Sequence, residues 1–249
     1  ANYRLNDKNR IFLSGYFGRD LLGMKKILEF DWGNTTGTLR WNHLFSEKMF
    51  SNTSLIFSNY NYNISIEPAG NKVKIISRIQ DYNIKQDFQY YLDSKNKLKF
   101  GFNSIYHRII PGAITNESDS SISELKLKNN HDWENATYIS HELKPTAMFS
   151  FEYGVRLSSF SALGPGDFYT YNQKGETTDT SSYSSGEFVK TYFNPEPRFA
   201  ANYILSEKSS LKASYGKNTQ NLHLLSNFTS GNPTDIWIPS SNNVKPEIS

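Results

Sequence analysis

The chain has 249 residues, 20% of them charged, with a formal charge of +3. It contains no run of about 18 apolar residues, so no transmembrane helix and no N-terminal signal peptide are expected. The absence of cysteine excludes disulfide frameworks, thiolate metal sites and thiol nucleophiles. The small, dispersed charge gives a nucleic-acid partner little electrostatic support, and none is expected. Aromatic residues reach 15%, including 16 Tyr and 17 Phe, a mixture that favours strands.

The first strand, residues 1 to 5, runs into the turn Asn6-Asp7-Lys8-Asn9, and a second covers 10 to 21. This opening phrase, "ANYRLNDKNRIFLSGY", returns at Ala201 as "ANYILSEKSSLKASYG". Both centres are clusters of turn formers flanked by alternating residues, and so predict tight hairpins. Strands are expected next at 28 to 45 and 49 to 67, joined by the turn in "HLFSEKMFSN". A third hairpin follows from 73 to 92 and 97 to 110 around "YYLDSKNKLKF", and a fourth from 121 to 143 and 148 to 163 around "SHELKPTAMFSFEY". The last is 186 to 205 and 210 to 226. The residues entering the five turns are Leu5, Phe45, Leu92, Leu143 and Leu205.

Alternation assigns faces to these strands. Phe149, Phe151, Tyr153, Val155 and Leu157 alternate with Ser150, Glu152, Gly154, Arg156 and Ser158. Tyr82, Ile84, Phe88 and Tyr90 are likewise set against Asp81, Asn83, Lys85 and Asp87, and Leu98, Phe100 and Phe102 against Lys99, Gly101 and Asn103. A soluble sandwich would bury the apolar face as a core. Its strands, however, run to five or six residues, whereas these stretches reach ten to twenty, which suits a tilted strand crossing a bilayer. The connections alternate as well: the five turns are tight, while Pro111 to Ser120 and Gly164 to Gly186 are long and polar. Tight turns at one end and long loops at the other are expected of an outer-membrane barrel. Tyr3, Phe45, Phe50, Tyr90, Tyr91, Phe100, Phe149 and Tyr203 would form its aromatic girdle against outer-membrane lipid. The fold class is therefore all-β, an antiparallel transmembrane β-barrel. Its first strand is too short to cross and "NVKPEIS" reads as the start of another. Residues 1 to 249 are thus expected to be one partial barrel domain of about ten strands, an excerpt from a larger closed barrel.

"NPEPRFAANYILSEKSSLKASYGKNTQNLHLLSN" from Asn194, "NVKPEIS" from Asn243 and "WGNTTGTLRWNHLFSEKMFSNTSLIFSNY" from Trp32 resemble the barrel of TonB-dependent receptors from Bacteroidetes-type bacteria. The resemblance implies a 22-stranded barrel occluded by a plug, importing scarce nutrients with energy passed on by TonB. The plug, the TonB-contacting segment and the terminal strands are not in this stretch. The ligand it implies is a glycan, a siderophore or other chelate, or a peptide, and it admits a surface lipoprotein as partner. Arg40, Glu152, Arg156 and Lys212 would face the lumen if the register holds.

Catalytic signatures are thin. His43, His107, His131, His141 and His223 are scattered, with no H-E-x-x-H pair, and no G-x-S-x-G elbow exists. "GPGDF" at Gly164 lacks a Walker lysine. Asn34, Asn135 and Asn227 open glycosylation sequons that an Asn- and Ser-rich chain produces by chance. Asp167 and Glu187 could form a glycosidase pair, but the sequence supplies no geometry. No cofactor and no metal site is expected. For ligand contact the candidates are Phe168, Tyr169, Tyr171 and Tyr183, with Trp237 beside Asp235: aromatic faces near hydrogen-bonding groups. A passive porin and a soluble glycan-binding or glycan-cleaving protein stand as alternative readings.

Overall fold

The computed structural model describes residues 1–24, 28–66, 73–116, 125–126, 128–225 and 236–249. In chain order the strands are β1 (Asn2–Asn6), β2 (Asn9–Met24), β3 (Leu28–Ser46), β4 (Met49–Ile66), β5 (Val73–Tyr91), β6 (Asn96–Asn116), β7 (Leu125–Lys126), β8 (Asn130–Leu143) and β9 (Phe149–Leu163). They continue as β10 (Gly166–Tyr171), β11 (Thr177–Tyr183), β12 (Phe188–Ser206), β13 (Ser209–Gly216), β14 (Thr219–Gln220), β15 (Leu222–Leu225), β16 (Ile236–Pro239) and β17 (Glu247–Ile248). One antiparallel sheet takes β1-β2-β3-β4-β5-β6-β8-β9-β12-β13 in that order, with β7 against β6. It is an all-β meander of ten main strands, an open stretch of barrel wall.

The recurring turn phrase has one physical cause. The backbone N–H of Lys8 donates to Asn6 Oδ1 at 3.0 Å, that of Lys48 to Ser46 Oγ at 3.3 Å, and that of Lys208 to Ser206 Oγ at 3.3 Å. At the fourth such site Lys95 N–H donates to Asp93 Oδ1 at 2.7 Å. A short polar side chain capping the amide two residues on stabilises a reversal with little chain. In the three two-residue turns the register slips by one, passing over Leu5, Phe45 and Leu205. Each is a bulge that leaves a large apolar side chain exposed.

Residues directly opposite in a ladder share a face, so the register sorts the whole sheet. Leu13, Leu39, Leu55 and Ile84 form one row. Phe88, Phe100, Ile139 and Val155 form another. Nothing among the described residues covers this apolar face: Leu13 is 58% exposed, Ile139 51% and Leu157 56%. The other face is polar and more enclosed. Among the expected girdle aromatics, Tyr3, Phe45, Tyr90, Phe100, Phe149 and Tyr203 lie on the apolar face. Phe50 and Tyr91 do not. They stand on the polar face, ring centroids 6.3 Å apart, because Phe50 pairs with Leu44 and Gln89, and Tyr91 with Lys97.

Three strand limits differ from the sequence reading. β6 continues past Ile110 to Asn116, because a register shift sets Pro111 and Gly112 opposite Ser77 and so spares the ladder the missing proline donor. Ser77 Oγ donates to the Ile110 carbonyl there at 3.0 Å. The seventh expected strand is realised as β8 from Asn130, with β7 ahead of it. The tenth stops at Gly216 instead of 226. Pro197 accepts at its carbonyl from Lys217 N–H at 3.1 Å, so its ring nitrogen and that of Pro195 face the β13 side. Lacking donors there, β12 cannot extend that ladder beyond Arg198 and Gly216. Finally, the stretch from Gly164 to Gly186 is a hairpin, β10 with β11. Its turn is closed by Asn172 Oδ1, which accepts from Lys174 and Glu176 amides at 2.9 and 3.0 Å, and by Gly175 at φ 79°.

Candidate functional site: the polar face and its loop-end cover

One row across eight strands, from Arg10 through Asn42, Asn52, Asp87, Gly101 and Tyr138 to Arg156 and Glu196, sets the centre of the polar face. Arg156 lies 3.7 Å from Glu134 and 3.6 Å from Glu196, and Arg198 is 3.6 Å from the same Glu196 oxygen. Ser158 Oγ donates to Glu196 at 2.7 Å, and Tyr138 OH to Asp87 at 2.6 Å. Nearer the turns, Lys99 bonds Glu152 at 2.8 Å, while Glu142 takes Lys144 at 2.9 Å and also Lys97. These are mutually satisfied charges on half-buried positions, the arrangement a wetted wall requires.

All four residues proposed from sequence to face the lumen stand on this polar face. Arg156 and Glu152 belong to the ion-pair network. Arg40 instead stacks its guanidinium 4.5 Å from the centroid of Phe12. Lys212 lies opposite Asn202. Sequence reasoning missed Glu134 and Glu196. Only the register brings them to Arg156, 22 and 40 residues away in the chain.

At the loop end the chain leaves the wall after Gly216 and crosses onto the polar face. Asn221 Nδ2 donates to Glu134 at 3.0 Å, Tyr192 OH donates to the Ser241 carbonyl at 2.7 Å, and β16 packs against β6. The side-chain Nδ2 groups of Asn242 and Asn243 both donate to the Tyr169 carbonyl, at 2.8 and 2.9 Å, tying this cover to β10. Beneath it Phe160 and Ile109 are buried, as is Ser240 within the cover.

The proposed ligand aromatics divide into groups. Phe168 carries the Lys128 ammonium 3.4 Å from its ring centroid and meets Tyr183 edge-on at 5.5 Å. Burial there pushes the Lys128 amine below its ordinary value. Both aromatics are therefore engaged in packing the hairpin. Tyr169 and Tyr171 are exposed, with ring centroids 6.5 Å apart. Trp237 sits in β16 opposite Leu224, in a separate hairpin. Asp235 lies outside the described residues. Asp167 and Glu187 do not converge: Asp167 accepts from Ser182, and Glu187 from the Ser184 amide at 2.8 Å. No cluster of metal-ligating side chains occurs among the described residues.

Several solved structures share this fold. Over 88% of the chain and 36% of the other, the structure is similar to a copper transporter, OprC, with a TM-score of 0.63 at 11% identity. It is similar to BauA, the ferric preacinetobactin receptor from Acinetobacter baumannii, over 96% of the chain and 41% of the other, with a TM-score of 0.60 at 13% identity. A third likeness is to the Serratia marcescens hemophore receptor HasR, determined in complex with its hemophore HasA and heme. It covers 88% of the chain and 35% of the other, with a TM-score of 0.61 at 10% identity. The chain shares their fold. It spans about two fifths or less of the length of these proteins. Neither a protein-family model nor a curated protein matches the chain in sequence.

Proposed function

We propose that this chain is part of the barrel wall of an outer-membrane active transporter, a TonB-dependent receptor that imports a scarce nutrient. The observation that carries the reading is the two-faced sheet. On β8 this face runs from Trp133 through Ile139 to Leu143, with Asn135, Thr137 and His141 between them, and at about 3.3 Å per residue and a tilt of about 40° it spans roughly 25 Å of bilayer. The opposite face of the same strands holds Glu134, Tyr138 and Glu142 in hydrogen bonds and ion pairs. A soluble sandwich would cover the first face and leave the second to water. The fold shared with a copper transporter, a ferric preacinetobactin receptor and a hemophore receptor supports import over catalysis.

In this reading Arg40, Glu152, Arg156 and Lys212 line the lumen, the tight turns lie in the periplasm, and the long connections face outward. Ligand is first met by Tyr169 and Tyr171, with Trp237 on the adjoining cover. The Bacteroidetes type rests on "NVKPEIS" and the stretch from Asn194. The test is accumulation of candidate nutrients, copper and ferric chelates among them, in cells with and without TonB. Uptake that disappears with TonB supports the proposal; uptake by this barrel that is indifferent to TonB makes it a passive porin.

A further inference from the structure

The apolar face ends at the loop side in an aromatic row, Phe57, Tyr82, Tyr106 and Trp133. Two residues further along each strand, about 7 Å, the same face becomes Asn59, Gln80, Arg108 and His131. Arg78, two positions beyond Gln80 and pairing with Ile110, lies diagonal to Arg108. Arg108 is exposed, and Arg78 holds an enclosed Nε with no hydrogen-bond partner among the described residues. Tyr106 OH lies 2.8 Å from His131 Nδ1. With that nitrogen accepting, the imidazole proton sits on Nε2. Among the described residues of β4 to β9 on this face beyond the aromatic row there is no carboxylate; Asp81 and Asp132 belong to the opposite face.

Two arginines, an imidazole and a carboxamide grouped beyond the aromatic row, with no acid on this face among the described residues of β4 to β9 to neutralise them, make an anion site that in the proposed barrel turns toward lipid and not toward the lumen. An arginine fork matches a phosphate in charge and geometry, and the aromatic row beneath fixes its depth at the interface. We propose that Arg78 and Arg108, with Gln80 and His131, form a headgroup site for a phosphorylated lipid at the outer edge of the barrel. The inference rests on the membrane reading above.

The test uses the full-length barrel in neutral detergent, titrated with a diphosphorylated glycolipid and with the same lipid stripped of phosphate. The unmodified barrel is expected to prefer the phosphorylated form, and Arg78→Gln and Arg108→Gln each to weaken that binding about fivefold. Binding unchanged in the double variant overturns the site. Displacement by free inorganic phosphate as effective as by the lipid overturns the lipid source. A bimane on Leu55→Cys, quenched by bromine-labelled acyl chains, reads the membrane assignment separately. Quenching with no phosphate preference sinks the headgroup site alone, whereas absence of quenching sinks the barrel reading on which it rests.

Discussion

Val155 and Arg156 are adjacent in the chain and stand on opposite faces of the sheet. Val155 stands in the row of Phe88, Phe100 and Ile139, whereas Arg156 reaches Glu134 and Glu196 on the other side of the same sheet. In the proposed barrel a charge on the first face is buried in hydrocarbon, so Val155→Arg is expected to destabilise the refolded full-length barrel by roughly 2–4 kcal/mol, read from denaturant unfolding in detergent or lipid. The second face fails differently. Glu196 is buried and serves Arg156, Arg198 and Ser158 at once. Glu196→Leu leaves two guanidinium groups without their shared acceptor and should cost about 2–4 kcal/mol in the same measurement. If the leucine variant unfolds like the parent, the network is a set of independently solvated charges.

At the scale of elements, the tight turns are built alike but not from the same acceptor. Lys8 is held by an amide oxygen of Asn6 that does not titrate, Lys95 by a carboxylate oxygen of Asp93. Bonds from Asn96 and Lys95 hold the Asp93 carboxyl below its usual range. Because the folded value is the lower one, its contribution is present above the ordinary carboxylate value and is lost as pH falls through the depressed one. Hydrogen exchange should therefore show the Lys95 and Asn96 amides losing protection in acid relative to Lys8; parallel behaviour of the two turns would contradict the cap. The same elements fix orientation. A cysteine at Thr178 in β11 should react with an impermeant maleimide on intact cells, and one at Lys208 should not. The reverse labelling would invert the proposed topology.

Over the whole molecule, what was legible in the sequence is what repeats locally. Alternation such as Phe149 to Ser158 specifies both strand and face without any partner, and Asn6-Asp7-Lys8 carries its own turn. Features that depend on register were not legible. Glu134, Arg156 and Glu196 come from three strands, and nothing near any one of them names the other two. The continuation of β6 through Pro111 needs the matching shift at Ser77 on the neighbouring strand. That Phe168 packs under Lys128 is not legible either, because the two are 40 residues apart in the chain. In the proposed barrel the two faces meet different environments, which site-by-site nitroxide labelling from Phe149 to Ser158 in the full-length protein in lipid vesicles would distinguish. A period of two is expected along β9, with odd positions accessible to lipid-soluble oxygen and even positions to a water-soluble nickel chelate. Uniform accessibility, or odd positions shielded from both agents as in a buried core, would contradict it.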